Sequence, residues 1–215
     1  MNTTKYIPTP FRYHPIKNNY GYLLSHTPPE VLNELKLQIN SLQKDFTKGD
    51  KMNHFLAGEI EHEYKISPQF QTKHFIKNLS ERLEIESQYI KVNYNPQPTL
   101  KLNDLWVNFQ KKYEYNPLHN HNGVFSFVIW YQIPYLKEEE STMLNFKPTK
   151  EDNTHGQFHF IHNMGTNILH TIPIDVDKSN QGLVAIFPSS LNHIVYPFYS
   201  SDGYRITVAG NIITI

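Results

Sequence analysis

The stretch NPLHNHNGVFSFVIWYQ, residues 116–132, places two histidines directly before a long apolar run. The run Val124–Gln132 is rich in β-branched and aromatic residues, which indicates a buried strand. Side chains two residues apart on extended backbone point to the same side, so His119 and His121 can reach one ion. The segment therefore predicts a metal site at the mouth of a strand, with a solvated loop that contains two histidines as the alternative.

Short apolar or alternating runs, separated by turn residues, continue through the C-terminal half of the chain and indicate further strands. We predict strands at Leu105–Gln110, Val124–Gln132, Gln157–Ile161, Leu183–Phe187, His193–Phe198 and Tyr204–Ile215. Residues 137–156 are charged and polar, and we predict an exposed loop. The sequence does not specify whether this loop forms a lid over the site.

Two amphipathic helices are predicted ahead of these strands. Residues 1–27 look like an extended arm with one short strand, and apolar residues at helical spacing follow at 29–46 and roughly 68–90. Two helices followed by many strands predict a mainly β protein whose N-terminal helices pack on a β-sandwich or jelly roll. With 215 residues, we expect one domain: residues 1–99 form the arm and supporting helices, and residues 100–215 form the jelly-roll core.

The composition limits the partners and the metal chemistry. Lys plus Arg and Asp plus Glu both number 20, so bulk nucleic-acid binding by counterion release is not expected. The absence of cysteine removes disulfides and thiolate ligands, so a transition metal would need imidazole or carboxylate ligands. No signal peptide or membrane-spanning apolar run is seen, and we expect a cytoplasmic protein. The sequence does not specify an oligomeric state.

Two further residues lie on predicted strands near the C-terminus. His193 begins an extended run, and Arg205 interrupts an apolar one, where a buried guanidinium requires an anionic partner. If 193–198 and 204–211 form an antiparallel hairpin, these two residues face each other about 5 Å apart. Arg205 would then be placed to bind a carboxylate beside the metal. A histidine bonded to a backbone carbonyl and a structural salt bridge are the alternatives.

The pattern His119-Asn120-His121, then His193, then Arg205 in RITVAGN, resembles the 2-oxoglutarate/Fe(II) oxygenases, especially a phage and marine-bacterial branch. The motifs Trp106-Val107-Asn108 and Phe187-Pro188-Ser189 support the resemblance, which covers about residues 105–212. It implies a double-stranded β-helix that binds Fe(II) and 2-oxoglutarate, and that converts the cosubstrate to succinate and CO2 while hydroxylating a C–H bond. If the protein is phage-encoded, the compartment is the host cytoplasm.

The resemblance also implies roles for individual residues. His119 and His193 would be metal ligands, and Arg205 would bind the distal carboxylate of 2-oxoglutarate. His121 stands where the superfamily usually has a carboxylate. We expect His121 to bind the metal directly. The alternative is that it contacts the metal ligands without binding the metal itself. Weaker candidates are expected to face the barrel interior: Asn108, Ser126 and Tyr131 as donors to 2-oxoglutarate, and Asn211 as support for the site.

Two other functions fit the same residues. One is a three-histidine, cupin-like metal enzyme that does not use 2-oxoglutarate. The other is a catalytically inactive phage accessory module that binds a partner through the same fold. For the oxygenase, the substrate can be a small molecule or a protein side chain, and the sequence does not distinguish them. A second group of histidines (155, 159, 162 and 170) is interpreted as solvated loop and strand residues.

Overall fold

The computed structural model describes residues 12–16, 20–86, 99–143, 154–163 and 168–215. Its helices are α1 (Pro29–Lys44), α2 (Phe70–Glu86) and α3 (Lys137–Thr142), with 3₁₀ turns at Phe46–Lys48 and Lys178–Asn180. Its strands are β1 (Arg12–Ile16), β2 (Tyr20–His26), β3 (Glu63–Lys65), β4 (Leu100–Gln110), β5 (Asn116–His119), β6 (Phe125–Gln132), β7 (Phe158–Asn163), β8 (Leu169–Ile174), β9 (Leu183–Pro188), β10 (Asn192–Val195) and β11 (Arg205–Thr214). None of the helices within these ranges is long and apolar enough to cross a membrane.

The strands form two antiparallel sheets that face each other as a jelly roll, or double-stranded β-helix. The larger sheet has seven strands in the order β1-β2-β9-β6-β11-β4-β3, and the smaller has four in the order β5-β10-β7-β8. Strands β9, β6 and β11 lie at the centre of the larger sheet and are mostly buried. The mainly β fold with N-terminal helices is therefore confirmed.

The larger sheet separates two apolar cores, and strand alternation decides which side chain enters which core. Leu105, Val107 and Phe109 of β4 pack against the helices, in one cluster with Leu35 and Leu79. The intervening residues of β4 point into the space between the sheets. A second cluster fills that space with aromatic side chains: Tyr22, Trp130, Tyr135, Phe158, Phe160, Phe187 and Phe198. The helices therefore cover one face of the larger sheet, and the side chains of its other face line the space between the two sheets.

The predicted helices and strands agree with the structure except at their ends and in short elements. Strands β3, β5 and β8 were not predicted, and the arm contains two strands where one was expected. The predicted loop, 137–156, begins with α3, but its residues 144–153 lie outside the described residues, as do 1–11 and 87–90.

The predicted hairpin between residues 193–198 and 204–211 is wrong. Strand β10 pairs with β5 and β7 in the smaller sheet, whereas β11 pairs with β4 and β6 in the larger sheet. The extended run ends at Val195 rather than at Phe198. Pro197 has no N–H to donate to a ladder, and the following residues carry the chain from one sheet to the other. His193 and Arg205 are therefore not cross-strand neighbours.

Candidate metal centre

Three histidines from two adjacent strands and one loop converge at the mouth of the barrel. His119 ends β5 and faces His193 of β10 directly across the ladder, and His121 follows two residues after His119. The ring centroids are 4.2 Å apart for His119 and His193, and 5.0 Å apart for each pair that includes His121. One ring nitrogen from each residue lies within 4.8 Å of the others, which is suitable for a shared ion.

Backbone hydrogen bonds fix the protonation of two of these rings. Nδ1 of His119 donates to the carbonyl of Pro117 at 2.7 Å, and Nδ1 of His193 donates to the carbonyl of Leu191 at 3.0 Å. A carbonyl oxygen can only accept, so each Nδ1 carries the proton and each Nε2 keeps its lone pair. A second hydrogen bond of this kind typically orients a histidine that binds a metal.

Burial keeps the three rings neutral. His193 is 3% exposed, and burial, followed by the neighbouring His119 and His121, holds its pKa well below the usual value. Burial and the adjacent His119 lower the pKa of His121 to about 4, and burial lowers that of His119. Neutral imidazoles offer lone pairs to a cation without a proton to displace, which is the state that metal binding requires.

The donor set fits Fe(II), since imidazole is a ligand that iron accepts and three nitrogens leave coordination positions open. Within the described ranges, no aspartate or glutamate joins the three histidines. Aromatic rings hold the site rigidly: His193 packs against Phe158 and Phe187, at centroid distances of 5.2 and 5.1 Å. The ring centroid of Trp106 lies 5.8 Å from that of His121.

Two spaces adjoin the histidines. The first, here called the inner cavity, lies between the sheets, has a volume of about 40 Å³ and is lined by all three histidines. Its other walls include Asn108, Gln110, Asn116, Trp130, Phe158 and Thr207. The second, here called the outer cleft, has a volume of about 510 Å³ and is open to solvent. Trp106 and His121 border both spaces.

Arg205 is 1% exposed, and neutral groups accept hydrogen bonds from its guanidinium. The acceptors are Gln110 Oε1, the Tyr135 hydroxyl and the carbonyls of Gly156 and Tyr196, at 2.6–3.0 Å. Within the described residues, no carboxylate lies within ion-pair distance of it. The anionic partner expected for this buried cation is therefore not supplied by the described part of the chain.

Gln110 occupies the edge of the guanidinium that a carboxylate would use. Its Oε1 accepts from Nε of Arg205 at 3.0 Å and from Nη2 at 2.7 Å, which is the edge engaged in bidentate carboxylate pairs. Gln110 lines the inner cavity, whereas Arg205 is not among the residues that line it. Gln110 therefore shields the cation from the cavity.

The weaker sequence candidates occupy different positions. Asn108 lines the inner cavity, as expected. Ser126 is buried and donates to Asn211 Oδ1 at 2.8 Å, and Asn211 borders the outer cleft. The expectation that Tyr131 faces the barrel interior is wrong, because Tyr131 packs against the helix-side core. Ser126 and Tyr131 are five residues apart, and an odd spacing puts them on opposite faces of a strand.

Several residues of the inner cavity were not singled out from the sequence. Gln110 and Thr207 share a face with Asn108 and Arg205, so strand alternation within β4 and β11 would have identified both. Asn116 was quoted only as part of the histidine motif. Trp130 lies in the predicted buried strand, and it is both a core residue and a wall of the cavity.

One family match covers the three histidines and Arg205. Residues 104–211, half of the chain, match a protein family described as "Putative 2OG-Fe(II) oxygenase". No curated protein matches the sequence significantly.

Among solved structures, the chain is similar to a prolyl-4-hydroxylase from Pseudomonas putida, with a TM-score of 0.54, 12% identity, and coverage of 91% of this chain and 94% of that chain. An oxidoreductase of the 2OG-Fe(II) oxygenase family from Burkholderia pseudomallei gives a TM-score of 0.42, 14% identity, and coverage of 82% and 76%. At such identities the similarity to the hydroxylase concerns the fold alone.

Proposed function

The chain belongs to the 2OG-Fe(II) oxygenase family, and from this premise we propose that it is an Fe(II)- and 2-oxoglutarate-dependent dioxygenase that hydroxylates a C–H bond. The observation that carries the proposal is the convergence of three neutral imidazoles at one end of the jelly roll. Fe(II) bound there supplies the redox chemistry in which O2, 2-oxoglutarate and substrate R–H give R–OH, succinate and CO2. The substrate is a small molecule or a protein side chain.

The three histidines have separate tasks in this proposal. His119 and His193 present Nε2 to the metal, in orientations fixed by their own backbone carbonyl partners. His121 supplies the third nitrogen directly, because its ring lies as close to each of the other two as a shared ion requires. Together the three imidazoles would hold the metal, and further ligands would come from outside the protein.

Arg205 is proposed to bind the distal carboxylate of 2-oxoglutarate. A buried cation held only by neutral acceptors is costly, and an incoming anion offsets that cost. The carboxylate would reach Arg205 through the inner cavity and take the place of Gln110 Oε1 on Nε and Nη2. The side chain of Gln110 must then rotate away when the cosubstrate binds.

The test uses purified full-length protein under anaerobic conditions. Fe(II) and 2-oxoglutarate affinities are measured first, and succinate formation is measured after O2 is admitted. We expect Gln110→Glu to weaken 2-oxoglutarate binding at least tenfold, because its carboxylate competes for Arg205, while Fe(II) affinity stays within twofold. Gln132→Glu is the matched control, since both glutamines donate Nε2 to a backbone carbonyl, that of Glu114 for Gln110 and that of Tyr204 for Gln132.

The two alternative functions give different results in the same experiment. Succinate formation that is unchanged by Arg205→Ala would contradict the role of Arg205 and favour a three-histidine enzyme without 2-oxoglutarate. Absence of both Fe(II) and 2-oxoglutarate binding would favour a binding module that lacks catalysis.

A further inference from the structure

We infer that Glu63, Asn108 and Asn116 form a binding site for the primary ammonium group of the substrate, beside the inner cavity. The inference rests on the proposed function, since it names the class of substrate: an alkyl amine whose carbon chain extends toward the three histidines. None of the three residues belongs to the histidine cluster, and each comes from a different strand.

The strands bring these side chains together on the interior face of the barrel. Glu63 of β3 faces Asn108 of β4 directly across the antiparallel ladder, so their side chains leave the sheet on the same side. Asn116 begins β5, and the register of β5 against β10 shifts between Asn116 and His119, so both residues face the inner cavity in spite of their odd spacing. Asn108 and Asn116 line the inner cavity together with all three histidines.

Each of the three residues has a buried oxygen that accepts no hydrogen bond. These atoms are Glu63 Oε1, Asn108 Oδ1 and Asn116 Oδ1. Glu63 is 0% exposed and Asn108 is 7% exposed, so bulk water does not solvate them. A buried polar atom without a partner is destabilising, and three such acceptors in one region indicate a donor that arrives with a ligand.

The second polar atom of Glu63 and that of Asn108 are already engaged, which leaves one open oxygen on each of these two residues. Asn53 Nδ2 donates to Glu63 Oε2 at 3.3 Å, and Asn108 Nδ2 donates to the hydroxyl of Thr207 at 3.3 Å. When Glu63 is ionised, the three open oxygens are all acceptors, a combination that repels a carboxylate or phosphate and selects a donor.

Gly58 keeps the space beside two of these oxygens open. A Cβ atom at this position would lie 2.8 Å from Glu63 Oε1 and 2.8 Å from Asn116 Oδ1, so both oxygens border the same point. A methyl group there would occupy the place where a ligand nitrogen makes hydrogen bonds to the two oxygens. An alanine at residue 58 would therefore compete with a ligand nitrogen for this space.

A primary ammonium group matches this set of acceptors. Its three N–H donors correspond to the three open oxygens of the site, and its positive charge corresponds to the carboxyl group of Glu63. Burial, together with the nearby Glu114, raises the pKa of Glu63 to about 8, so a cation beside it would restore the ionised form. A guanidinium, with five donors in a plane, would leave donors unpaired here.

The experiment measures amine binding without turnover. The chain has two tryptophans, Trp106 and Trp130, and both line the inner cavity, so their fluorescence reports on ligands that enter it. The probe is n-butylammonium at pH 8.5, titrated into full-length protein with and without anaerobic Fe(II). Pentanoate and butan-1-ol serve as probes of similar length that carry an anion or no charge.

We expect saturable binding of n-butylammonium and at least tenfold weaker binding of the other two probes. Glu63→Gln should raise the Kd for the amine at least tenfold, because it removes the charge and keeps the shape. The matched control is Glu61→Gln, two residues away, whose side chain is 58% exposed, and it should change Kd less than twofold. Gly58→Ala should also weaken binding tenfold, and it serves as the second variant if Glu63→Gln does not fold.

One further probe distinguishes a lysyl side chain from a free amine as the source of the ammonium group. Tighter binding of Nα-acetyl-lysine-N-methylamide than of n-butylammonium identifies a lysyl side chain as the substrate group, and the reverse order identifies a free amine. The inference is overturned if n-butylammonium does not saturate, if pentanoate binds as tightly, or if Glu63→Gln leaves the amine affinity unchanged. Because no turnover is measured, failure to form succinate would contradict the proposed function and leave this result intact.

Discussion

Glu63 should make the stability of the protein fall as the pH rises, and Glu63→Gln should remove that dependence. Burial raises the pKa of this carboxyl from 4.5 to about 8 in the folded protein, while in the unfolded chain it returns to the ordinary value. Between these two pH values the folded state keeps a proton that the unfolded state releases. Raising the pH in this window therefore favours unfolding.

The magnitude follows from the size of this window. One group that is protonated only in the folded state lowers the free energy of unfolding by about 1.4 kcal/mol per pH unit. From pH 5.5 to pH 7.5 the wild type should therefore lose about 3 kcal/mol relative to Glu63→Gln. Above pH 8 both states are ionised, so the difference between the two proteins should become constant.

The assay is urea unfolding followed by circular dichroism, with chelator present, at four pH values from 5.5 to 8.5. The site histidines also affect stability, since their lowered pKa values destabilise the fold as pH falls, but wild type and variant share them and the effect cancels. Glu61→Gln provides the control. Parallel stability profiles for wild type and Glu63→Gln would show that Glu63 is ionised in the folded protein, and the reasoning from burial would be refuted.

Three further predictions concern the metal and the sheet. His193→Ala should weaken Fe(II) binding at least 100-fold in anaerobic calorimetry, whereas His162→Ala, outside the cluster, should leave it within twofold. Fe(II) at 100 times its Kd should raise the free energy of unfolding by about 2.7 kcal/mol, and a chelator should reverse the resulting rise in Tm. Gly210→Ala should cost about 2 kcal/mol or more in urea unfolding, because the new Cβ would overlap the Asp104 carbonyl oxygen and lie 2.7 Å from the Phe127 ring. An unchanged Kd, Tm or unfolding midpoint, respectively, would contradict each prediction.

Two of the three histidines in the cluster could be predicted from the sequence to share a metal ion, because their relative position is set by local geometry. His119 and His121 share a side of the chain through their two-residue spacing, and the strand that follows was evident from its apolar run. Strand β10 pairs with β5 in a way that no local pattern specifies, so the convergence of His193 depended on the resemblance. Its contact with His119 is a property of the topology.

The environment of Arg205 could not be predicted for the same reason. Apolar alternation marked β10 and β11 as extended segments, and the shortest connection suggested a hairpin, but the two strands lie in different sheets. Glu63 was missed because β3 has only three residues, too few to show a period of two. Its buried carboxyl depends on pairing with β4, which is remote in sequence.

The hydrogen bonds that orient His119 and His193 have a consequence for the evolution of the protein. Each ring is held by the backbone carbonyl two residues earlier in the chain, so main-chain atoms that every amino acid possesses maintain the alignment. Replacement of neighbouring side chains does not remove these acceptors. Mutation can therefore alter the lining of the barrel, and with it the range of molecules that are accepted, while the alignment of the two imidazoles is inherited unchanged.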